Sequence, residues 1–155
     1  MTKFVCGGLT VRKLNVKDAS SFAKIATGEM MTKFLPFLRA KNVTQAEEVI
    51  RKNSRYNYSL YGLFVKKVGL VSVFAVSPDI YDGANVHYFT GKEYYGNGYA
   101  ARGIDLLGQF LKTKYDYFLF SVHVENDASI AVQNKIGALE IDSRCNSYIE
   151  FCYSL

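Results

Sequence analysis

The sequence has 155 residues, of which 49% are hydrophobic and 21% charged, and these values exclude a disordered or low-complexity chain. The net charge of +5 is carried by scattered lysines and arginines, without the dense basic run of a nucleic-acid tail, so the composition disfavours nucleic acid as a partner. No apolar run approaches the roughly 18 to 20 residues that cross a bilayer, and residues 1–8 lack the apolar stretch of a secretory signal. We therefore predict one cytoplasmic domain over residues 1–155, with no membrane partner.

Metal ligands are poorly represented in the sequence. The three cysteines, Cys6, Cys145 and Cys152, form no CxxC pair, and two histidines do not make up a zinc ligand set. We therefore expect no metal site and reduced, structural thiols. The sequence also lacks a Ser-, Gly- or Pro-rich linker, so nothing in it predicts a division into two domains.

The first half of the chain predicts short helices and an antiparallel meander. In chain order the predicted elements are a strand at 9–14, a helix at 18–26, a broken apolar segment at 34–38, a helix at 44–56, a hairpin at 60–76 and a strand at 85–90. Pro36 accounts for the break, because proline lacks an N–H and fixes φ. Thr44 and Glu47 have the spacing of a capping box, which predicts the start of the second helix.

The second half predicts alternating helices and strands. The elements are a helix at 99–111, a strand at 117–124, a helix at 129–136 stopped by Gly137, and a strand pair within 138–153 that turns near Asn146. A strand, a helix and a strand in succession require a crossover. The strands at 85–90 and 117–124 are therefore predicted to be parallel neighbours in an otherwise antiparallel sheet, which is an α/β fold.

The segment EYYGNGYAA, residues 93–101, lies between a predicted strand and a predicted helix. The first amides of a helix have no intrahelical partner, and the helix dipole makes that end partly positive. Gly96 and Gly98 have no Cβ to block close approach, so the N–H groups of 97–101 could bind a pyrophosphate. A turn that merely starts a helix is the alternative. The segment also matches the GxGxxA dinucleotide-binding fingerprint, but that motif belongs in a parallel doubly wound sheet. A Walker loop is excluded because it requires GK[ST].

These motifs resemble those of the GCN5-related N-acetyltransferases (GNAT), and within them the RimJ/RimL-like branch. The acetyl-CoA loop of that family reads Q/R-x-x-G-x-G/A, and YGNGYA at 95–100 matches it except that Tyr95 replaces Gln or Arg. The segments VENDAS at 124–129 and KIGA at 135–138 are similar to the family's N-x-x-S and K-x-G-F. The resemblance spans most of the chain and implies a GNAT-like, mostly antiparallel sheet with a splayed central parallel pair and flanking helices.

The resemblance also implies that acetyl-CoA is the cosubstrate and that its pantetheine arm lies between the splayed strands. The residues that it assigns to acetyl-CoA are Phe89, Thr90, Tyr95, Gly96, Asn97, Gly98, Tyr99, Ala100, Ala101 and Asn126.

The catalytic positions depart from the family pattern. Many members place a tyrosine acid four residues before the motif's glycine, where this chain has Gln133. Ser129 instead resembles the serine in the N-x-x-S segment of the RimL-like branch. Its hydroxyl could protonate the departing thiolate or could serve only as a helix cap. The usual glutamate base is replaced by Asn85, so His87 is the candidate base, with a packing role as its alternative and water as the default base.

The resemblance implies an N-acetyltransferase that moves an acetyl group from acetyl-CoA to a primary amine, either a protein N-terminus or a small molecule, by direct attack. The segments 30–38 and 144–148 are expected to form the acceptor pocket. Two alternatives stay open: a catalytically idle CoA-binding regulatory module and, with less support, a basic RNA-contacting domain. The sequence does not distinguish a monomer from a homodimer.

Overall fold

The computed structural model describes residues 1–145 and 147–155, apart from the side chains of Ser54 and residues 142–145. The strands are β1 (Lys3–Cys6), β2 (Leu9–Lys13), β3 (Ser59–Val65), β4 (Gly69–Pro78), β5 (Gly83–Thr90), β6 (Tyr117–His123), β7 (Leu139–Cys145) and β8 (Tyr148–Ser154). The helices are α1 (Ala19–Ile25), α2 (Glu29–Phe34), α3 (Val43–Arg55), α4 (Tyr99–Leu111) and α5 (Asp127–Ile136). Short 3₁₀ turns occupy Val16–Asp18, Pro36–Leu38 and Lys92–Tyr94.

One eight-stranded sheet, in the order β1-β2-β3-β4-β5-β6-β8-β7, forms the centre of the fold. Its described pairs are antiparallel except β5–β6, which is parallel and extends only from Gly83–Tyr117 to Asn85–Leu119. Beyond Asn85 the two strands diverge toward their carboxyl ends. The predicted mixed sheet with a splayed parallel pair is therefore confirmed.

The side chains of β5 alternate between two helical layers, as side chains of a strand must. Val86 packs in the core beneath α4 with Ile104, and Tyr88 packs against the same cluster. Phe89 belongs to the opposite core with Phe22 of α1. The sheet is thus covered on both faces, and neighbouring residues of β5 reach different layers.

Helix α4 lies unusually close to the sheet at Gly103. A Cβ at this position would come within 2.3 Å of Cζ of Phe74, a fully buried residue of β4. Glycine is therefore required for this contact, which fixes α4 against the sheet. Because α4 follows β5 and α5 follows β6, the amino-terminal ends of both helices lie at the open end of the splayed pair.

Most predicted elements are confirmed, but their ends show two corrections. The prediction of a capping box at Thr44 is wrong, because α3 begins at Val43. The amino-terminal cap of this helix is Asn42, whose Oδ1 accepts a hydrogen bond from Gln45 N–H at 2.9 Å. The helix predicted from Ser129 begins two residues earlier, at Asp127. The strand β1 was not predicted, and α2 overlaps the segment 30–38 that the resemblance assigns to the acceptor pocket. The turn predicted near Asn146 lies outside the described residues.

In the described part of the chain, none of the helices has the length and apolar character needed to span a membrane.

Candidate active site

A cavity of about 330 Å³ opens between the diverging strands β5 and β6. The residues of its lining that bear on chemistry are Phe37, His87, Tyr88, His123, Asn126 and Ser129. They come from both splayed strands, from the segment after α2 and from the start of α5. The cavity is therefore a product of the short parallel pairing, which leaves room where a continuous sheet would have none.

In the described part of the chain, the edge of β5 that faces the cavity carries backbone groups without a strand partner. Gly91 N–H donates to Val71 O at 2.9 Å, so the odd-numbered residues at this end of β5 direct their backbone groups toward β4. The backbone groups of Tyr88 and Thr90 therefore point toward β6, which no longer pairs with β5 beyond Asn85. An extended ligand with amide groups could hydrogen-bond to this edge as an added strand does.

The loop between β5 and α4 has the conformation of an anion cradle. Gly96 and Gly98 have φ values of +79° and +72°, a region that other residues rarely adopt. Asn97 stabilises the loop through its Nδ2, which donates to the carbonyl oxygens of Tyr94 and Tyr95 at 3.0 and 3.3 Å. Tyr95, which replaces the family's Gln or Arg, is 53% exposed, so the cradle depends on backbone and not on this side chain.

The amides at the start of α4 fit a phosphate group. The first intrahelical bond joins Arg102 N–H to Gly98 O, which leaves the N–H groups of Tyr99, Ala100 and Ala101 without helical partners. A Cβ on Gly98 would lie 3.1 Å from Nζ of Lys135 on α5. An ammonium group and a helix amino terminus therefore meet beside this loop, and both favour an anion.

Tyr88, Ser129 and Gln133 form a polar cluster on the α5 side of the cavity. The Tyr88 hydroxyl lies 2.7 Å from Oγ of Ser129, and Nε2 of Gln133 donates to the Tyr88 oxygen at 3.2 Å. Burial raises the pKa of Tyr88, although its hydrogen bonds with Ser129 and Gln133 oppose the change. The phenol is therefore protonated near neutral pH.

Asn126 caps helix α5. Its Oδ1 accepts a hydrogen bond from Ser129 N–H at 3.2 Å, and its own N–H donates to His123 O at 2.8 Å. The interpretation of Ser129 as the helix cap is therefore wrong, because Asn126 holds that position and leaves the serine hydroxyl available to the cavity. The side-chain NH₂ group of Asn126 remains able to donate to a ligand.

His87 lies on the face of β5 opposite Tyr88, within an aromatic wall. Its ring makes an edge contact with Phe37, with centroids 5.4 Å apart, and lies 6.1 Å from the ring of Tyr58. Burial lowers the pKa of His87 below its ordinary value of about 6.5. The imidazole is therefore neutral at pH 7 and is able to accept a proton.

Helix α2 closes one side of the cavity through two contacts with the end of β6. Lys33 Nζ lies 3.0 Å from Glu125 Oε2, and the rings of Phe34 and His123 lie 5.6 Å apart. Nδ1 of His123 accepts a hydrogen bond from Glu125 N–H at 3.1 Å, which places its remaining proton on Nε2. These contacts hold the predicted acceptor segment beside the splayed strands.

The structure brings most of the predicted acceptor region together. Phe34, Leu35, Phe37 and Tyr148 line the cavity, whereas Arg39 lies in a neighbouring groove with α3. The predicted contribution of Arg144 and Asn146 lies outside the described side chains.

Phe89 and Thr90, both assigned to acetyl-CoA by the resemblance, direct their backbone groups toward opposite edges of β5. Phe89 directs its backbone toward β4 and buries its ring against Phe22, with centroids 5.9 Å apart. The Thr90 hydroxyl is bound to Ser72 Oγ at 2.8 Å, but its backbone faces the cavity side. Tyr88 occupies the place on the open edge that sequence reasoning gave to Phe89.

Sequence reasoning missed Tyr88, Lys135 and His123 as site residues. The alternation of β5 could have shown that Tyr88 and Thr90 share one backbone edge, once the pairing partner was known. Lys135 has no signal beyond its place in the KIGA segment. His123 had no signal beyond its position at the end of a strand.

Comparisons with known proteins agree with this geometry. The family model described as "Acetyltransferase (GNAT) domain" matches residues 8–139. A comparison with curated proteins found no match. The structure is similar to the acetyltransferase (GNAT family) from Bacillus anthracis, with a TM-score of 0.79 and 16% identity over 99% of this chain and 97% of that one.

Two further structures are similar over nearly their whole length. RimL, a ribosomal L7/L12 alpha-N-protein acetyltransferase in complex with coenzyme A, gives a TM-score of 0.77 and 13% identity over 97% of this chain and 96% of that one. A chimera of the spermidine N-acetyltransferase SpeG from Vibrio cholerae and hSSAT gives a TM-score of 0.74 and 16% identity over 96% of each chain. The family predicted from the motifs is confirmed: the chain belongs to the GNAT acetyltransferases.

Proposed function

We propose that residues 1–155 act as one N-acetyltransferase domain that transfers an acetyl group from acetyl-CoA to a primary amine. The observation that carries this proposal is the alignment of three features at one end of the splayed strands. These are the glycine loop with free helix amides, the unpaired edge of β5 and the cavity that contains Ser129. Together they suit a long ligand with an anionic end, an amide-containing arm and a reactive end.

The residues fit each part of acetyl-CoA. The amides of residues 97–101 and Lys135 would hold the pyrophosphate, with Tyr95 beside them on the loop surface. The backbone of Tyr88 and Thr90 and the NH₂ group of Asn126 would bind the pantetheine arm. Acetyl-CoA supplies an acetyl group activated as a thioester.

The chain's own groups account for direct transfer without a covalent enzyme intermediate. Backbone N–H groups of β5 can hydrogen-bond the thioester carbonyl oxygen as negative charge develops on it. The Ser129 hydroxyl can donate a proton to the departing sulfur. The neutral imidazole of His87 can accept a proton from the amine, either directly or through a water molecule.

The acceptor is proposed to be an amine that enters beside α2. The cavity wall combines the aromatic side chains of Phe37 and Tyr148 with His87, and the Lys33–Glu125 ion pair lies beside it. Similar structures include one enzyme that acts on a protein α-amine and another that is a spermidine acetyltransferase. Both a peptide N-terminus and a small amine are therefore reasonable first substrates to test.

The proposal is tested by CoA release. The protein is first titrated with CoA by calorimetry, and acetyl-CoA is then incubated with free-amine peptides and with spermidine. Each peptide is paired with its N-terminally blocked form, and mass spectrometry identifies the acetylated product. Release that depends on a free amine supports the enzyme. CoA binding without release across a broad amine panel would instead identify an idle CoA-binding module.

Replacing Asn126 with alanine should weaken CoA binding and destabilise α5 together. Loss of a hydrogen bond at a buried site costs about 1 to 3 kcal/mol, so the dissociation constant should rise about 5- to 150-fold. Loss of the cap should lower the free energy of unfolding by about 1 kcal/mol. Calorimetry and thermal denaturation measure the two effects.

The Asn126→Asp variant separates these two effects. A carboxylate keeps the capping acceptor for Ser129 N–H but has no NH₂ donor. We expect its stability to stay near that of the wild type while its CoA affinity falls. If Asn126→Asp bound CoA as tightly as the wild type, the amide donor would have no part in binding.

Replacing His87 with glutamine should remove the acidic limb of the pH–rate profile. In the wild type, kcat/KM should fall as His87 becomes protonated, and burial places this change below the ordinary value of about 6.5. His87→Gln should lose that limb and about 100-fold in kcat/KM at pH 7 if His87 is the base. The measurement is kcat/KM from pH 5 to 9 with a fixed amine, calculated on the concentration of its neutral form, because protonation of the amine itself lowers kcat/KM at low pH in every variant.

The second histidine of the cavity provides the comparison. Because its Nδ1 already accepts from Glu125 N–H, His123 is less suited to take the amine proton. The acidic limb should therefore persist in His123→Gln. A limb that survives in His87→Gln and disappears in His123→Gln would reassign the base.

A further inference from the structure

Three side chains form a continuous polar row from the protein interior to the cavity. Gln133 has no exposed surface and lies behind Tyr88, its Nε2 being 3.2 Å from the tyrosine oxygen. Tyr88 in turn lies 2.7 Å from Oγ of Ser129. Tyr88 and Ser129 both line the cavity.

The hydrogen bond from Gln133 to Tyr88 has a defined direction, whereas either hydroxyl can be the donor in the bond between Tyr88 and Ser129. Because Gln133 donates to the Tyr88 oxygen, the phenolic hydrogen is available for an acceptor on α5. The nearest acceptors are Oγ of Ser129 at 2.7 Å and Ser129 O at 3.4 Å. If Tyr88 donates to Oγ, the Ser129 hydrogen is left free to point into the cavity.

The amide of Gln133 is retained at a cost to stability. Its Oε1 is buried and has no hydrogen-bond partner among the described residues. A buried, unpaired carbonyl oxygen is destabilising, and an apolar side chain of similar volume would avoid that cost. Packing alone does not explain an amide here, whereas a need to donate a hydrogen bond to Tyr88 does.

We propose that Tyr88 is a positioning residue, which orients the Ser129 hydroxyl toward the departing sulfur and replaces the proton that Ser129 gives up. This inference rests on the proposed acetyltransferase function. It adds a specific source for the proton and a role for the buried amide of Gln133.

The proton transfers balance as follows. The Ser129 O–H bond breaks as an S–H bond forms on CoA, and the Tyr88 O–H bond breaks as a new O–H bond forms on Ser129. The negative charge moves only transiently from sulfur to the Tyr88 oxygen, because burial raises the pKa of the phenol and disfavours its anion. Hydrogen bonds from Gln133 and Ser129 partly offset this effect. The attacking amine releases one proton, and a proton taken back through solvent restores Tyr88.

The surroundings of Tyr88 are otherwise apolar. Phe74 of β4 and Phe120 of β6 pack against its ring, with centroids 6.3 and 5.9 Å away. The titratable groups that share the cavity are His87, His123 and Tyr148, and the charged pair beside it is Lys33–Glu125. Among the described residues, the hydrogen-bond partners of the Tyr88 hydroxyl all belong to α5, so this row is its path to the cavity.

The decisive measurement is the ionisation of the thiol of enzyme-bound CoA, because it requires no acceptor amine. CoA labelled with ¹³C at the carbon bonded to sulfur is titrated by NMR on the wild type and on Tyr88→Phe. A Ser129 hydroxyl oriented toward sulfur stabilises the thiolate, so Tyr88→Phe should lower the thiolate fraction at a given pH about tenfold. In turnover, kcat should fall about tenfold, with the dissociation constant of CoA unchanged.

Two further variants make the result specific. Tyr117→Phe removes a tyrosine hydroxyl that donates to Asp79 at 2.8 Å and lies at the paired end of β6, and its bound thiol should ionise as in the wild type. Gln133→Met removes the donor and the unpaired oxygen. It should raise the melting temperature but lower the thiolate fraction as Tyr88→Phe does, and it replaces that variant if Tyr88→Phe does not fold.

The outcomes separate this inference from the function on which it rests. A wild-type protein that does not bind CoA would overturn both. CoA binding with the same thiol ionisation in the wild type, Tyr88→Phe and Gln133→Met would overturn the role of Tyr88 while leaving the acetyltransferase proposal intact.

Discussion

Replacing Gly98 with valine is expected to reduce CoA affinity by at least about 100-fold, because two or more charge-assisted hydrogen bonds would be lost from the pyrophosphate. Gly98 has a φ of +72°, and a Cβ there would lie 3.1 Å from Nζ of Lys135. A branched side chain would therefore occupy the space in which the loop amides and the ammonium group meet. Calorimetric titration with CoA measures the loss.

Backbone strain must be separated from obstruction in this experiment. A side chain in the left-handed region costs roughly 1 to 2 kcal/mol wherever it occurs. Gly7, in the β1–β2 turn, has a φ of +54° and open space around its Cβ position, so Gly7→Val should lose stability without losing CoA affinity. Gly98→Asn reduces the strain but still fills the cradle, and it should bind CoA weakly.

Tight CoA binding by both Gly98→Val and Gly98→Asn would contradict the assignment of the pyrophosphate to this loop. The cosubstrate would then have to approach from elsewhere along the splayed strands. Weak binding by Gly98→Val alone would identify backbone distortion, and not steric obstruction, as the cause.

The order of elements could be predicted because their patterns are local. The apolar spacing of α4 and the β-rich runs of β3 and β4 are properties of short segments, and the crossover rule then makes β5 and β6 parallel neighbours. The cap of α3 could not be fixed in this way. Asn42 and Thr44 are both good capping residues two positions apart, and the structure uses Asn42.

The glycine loop could be placed from sequence because its function depends on backbone, which Gly96 and Gly98 reveal directly. The cluster around Tyr88 could not. It joins a strand residue to Ser129 and Gln133 on a helix more than 40 positions later, and such a contact depends on how far β5 and β6 diverge. The sequence shows that position 133 has glutamine where many family members have tyrosine. It does not show that the hydroxyl of another tyrosine lies beside that position.

The Ser129→Ala variant should lower kcat by about 10²- to 10⁴-fold, the usual contribution of a general acid, while its affinity for CoA stays the same. Ser129 does not cap α5, since Asn126 Oδ1 accepts from the serine N–H, and alanine keeps that N–H. The loss of stability should therefore be limited to about 0.5 to 1.5 kcal/mol from the hydrogen bond with Tyr88. Melting temperature, CoA affinity and kcat are measured on the same preparation.

A Ser129→Thr variant is the matched control, because threonine keeps a hydroxyl on the same carbon. Its kcat should be much closer to that of the wild type than the kcat of Ser129→Ala. Equal kcat values in the wild type and Ser129→Ala would show that sulfur departs as the thiolate or takes its proton from water. In that case the Tyr88–Ser129 hydrogen bond would only hold α5 against β5, since a catalytic proton must pass through the hydroxyl that alanine lacks.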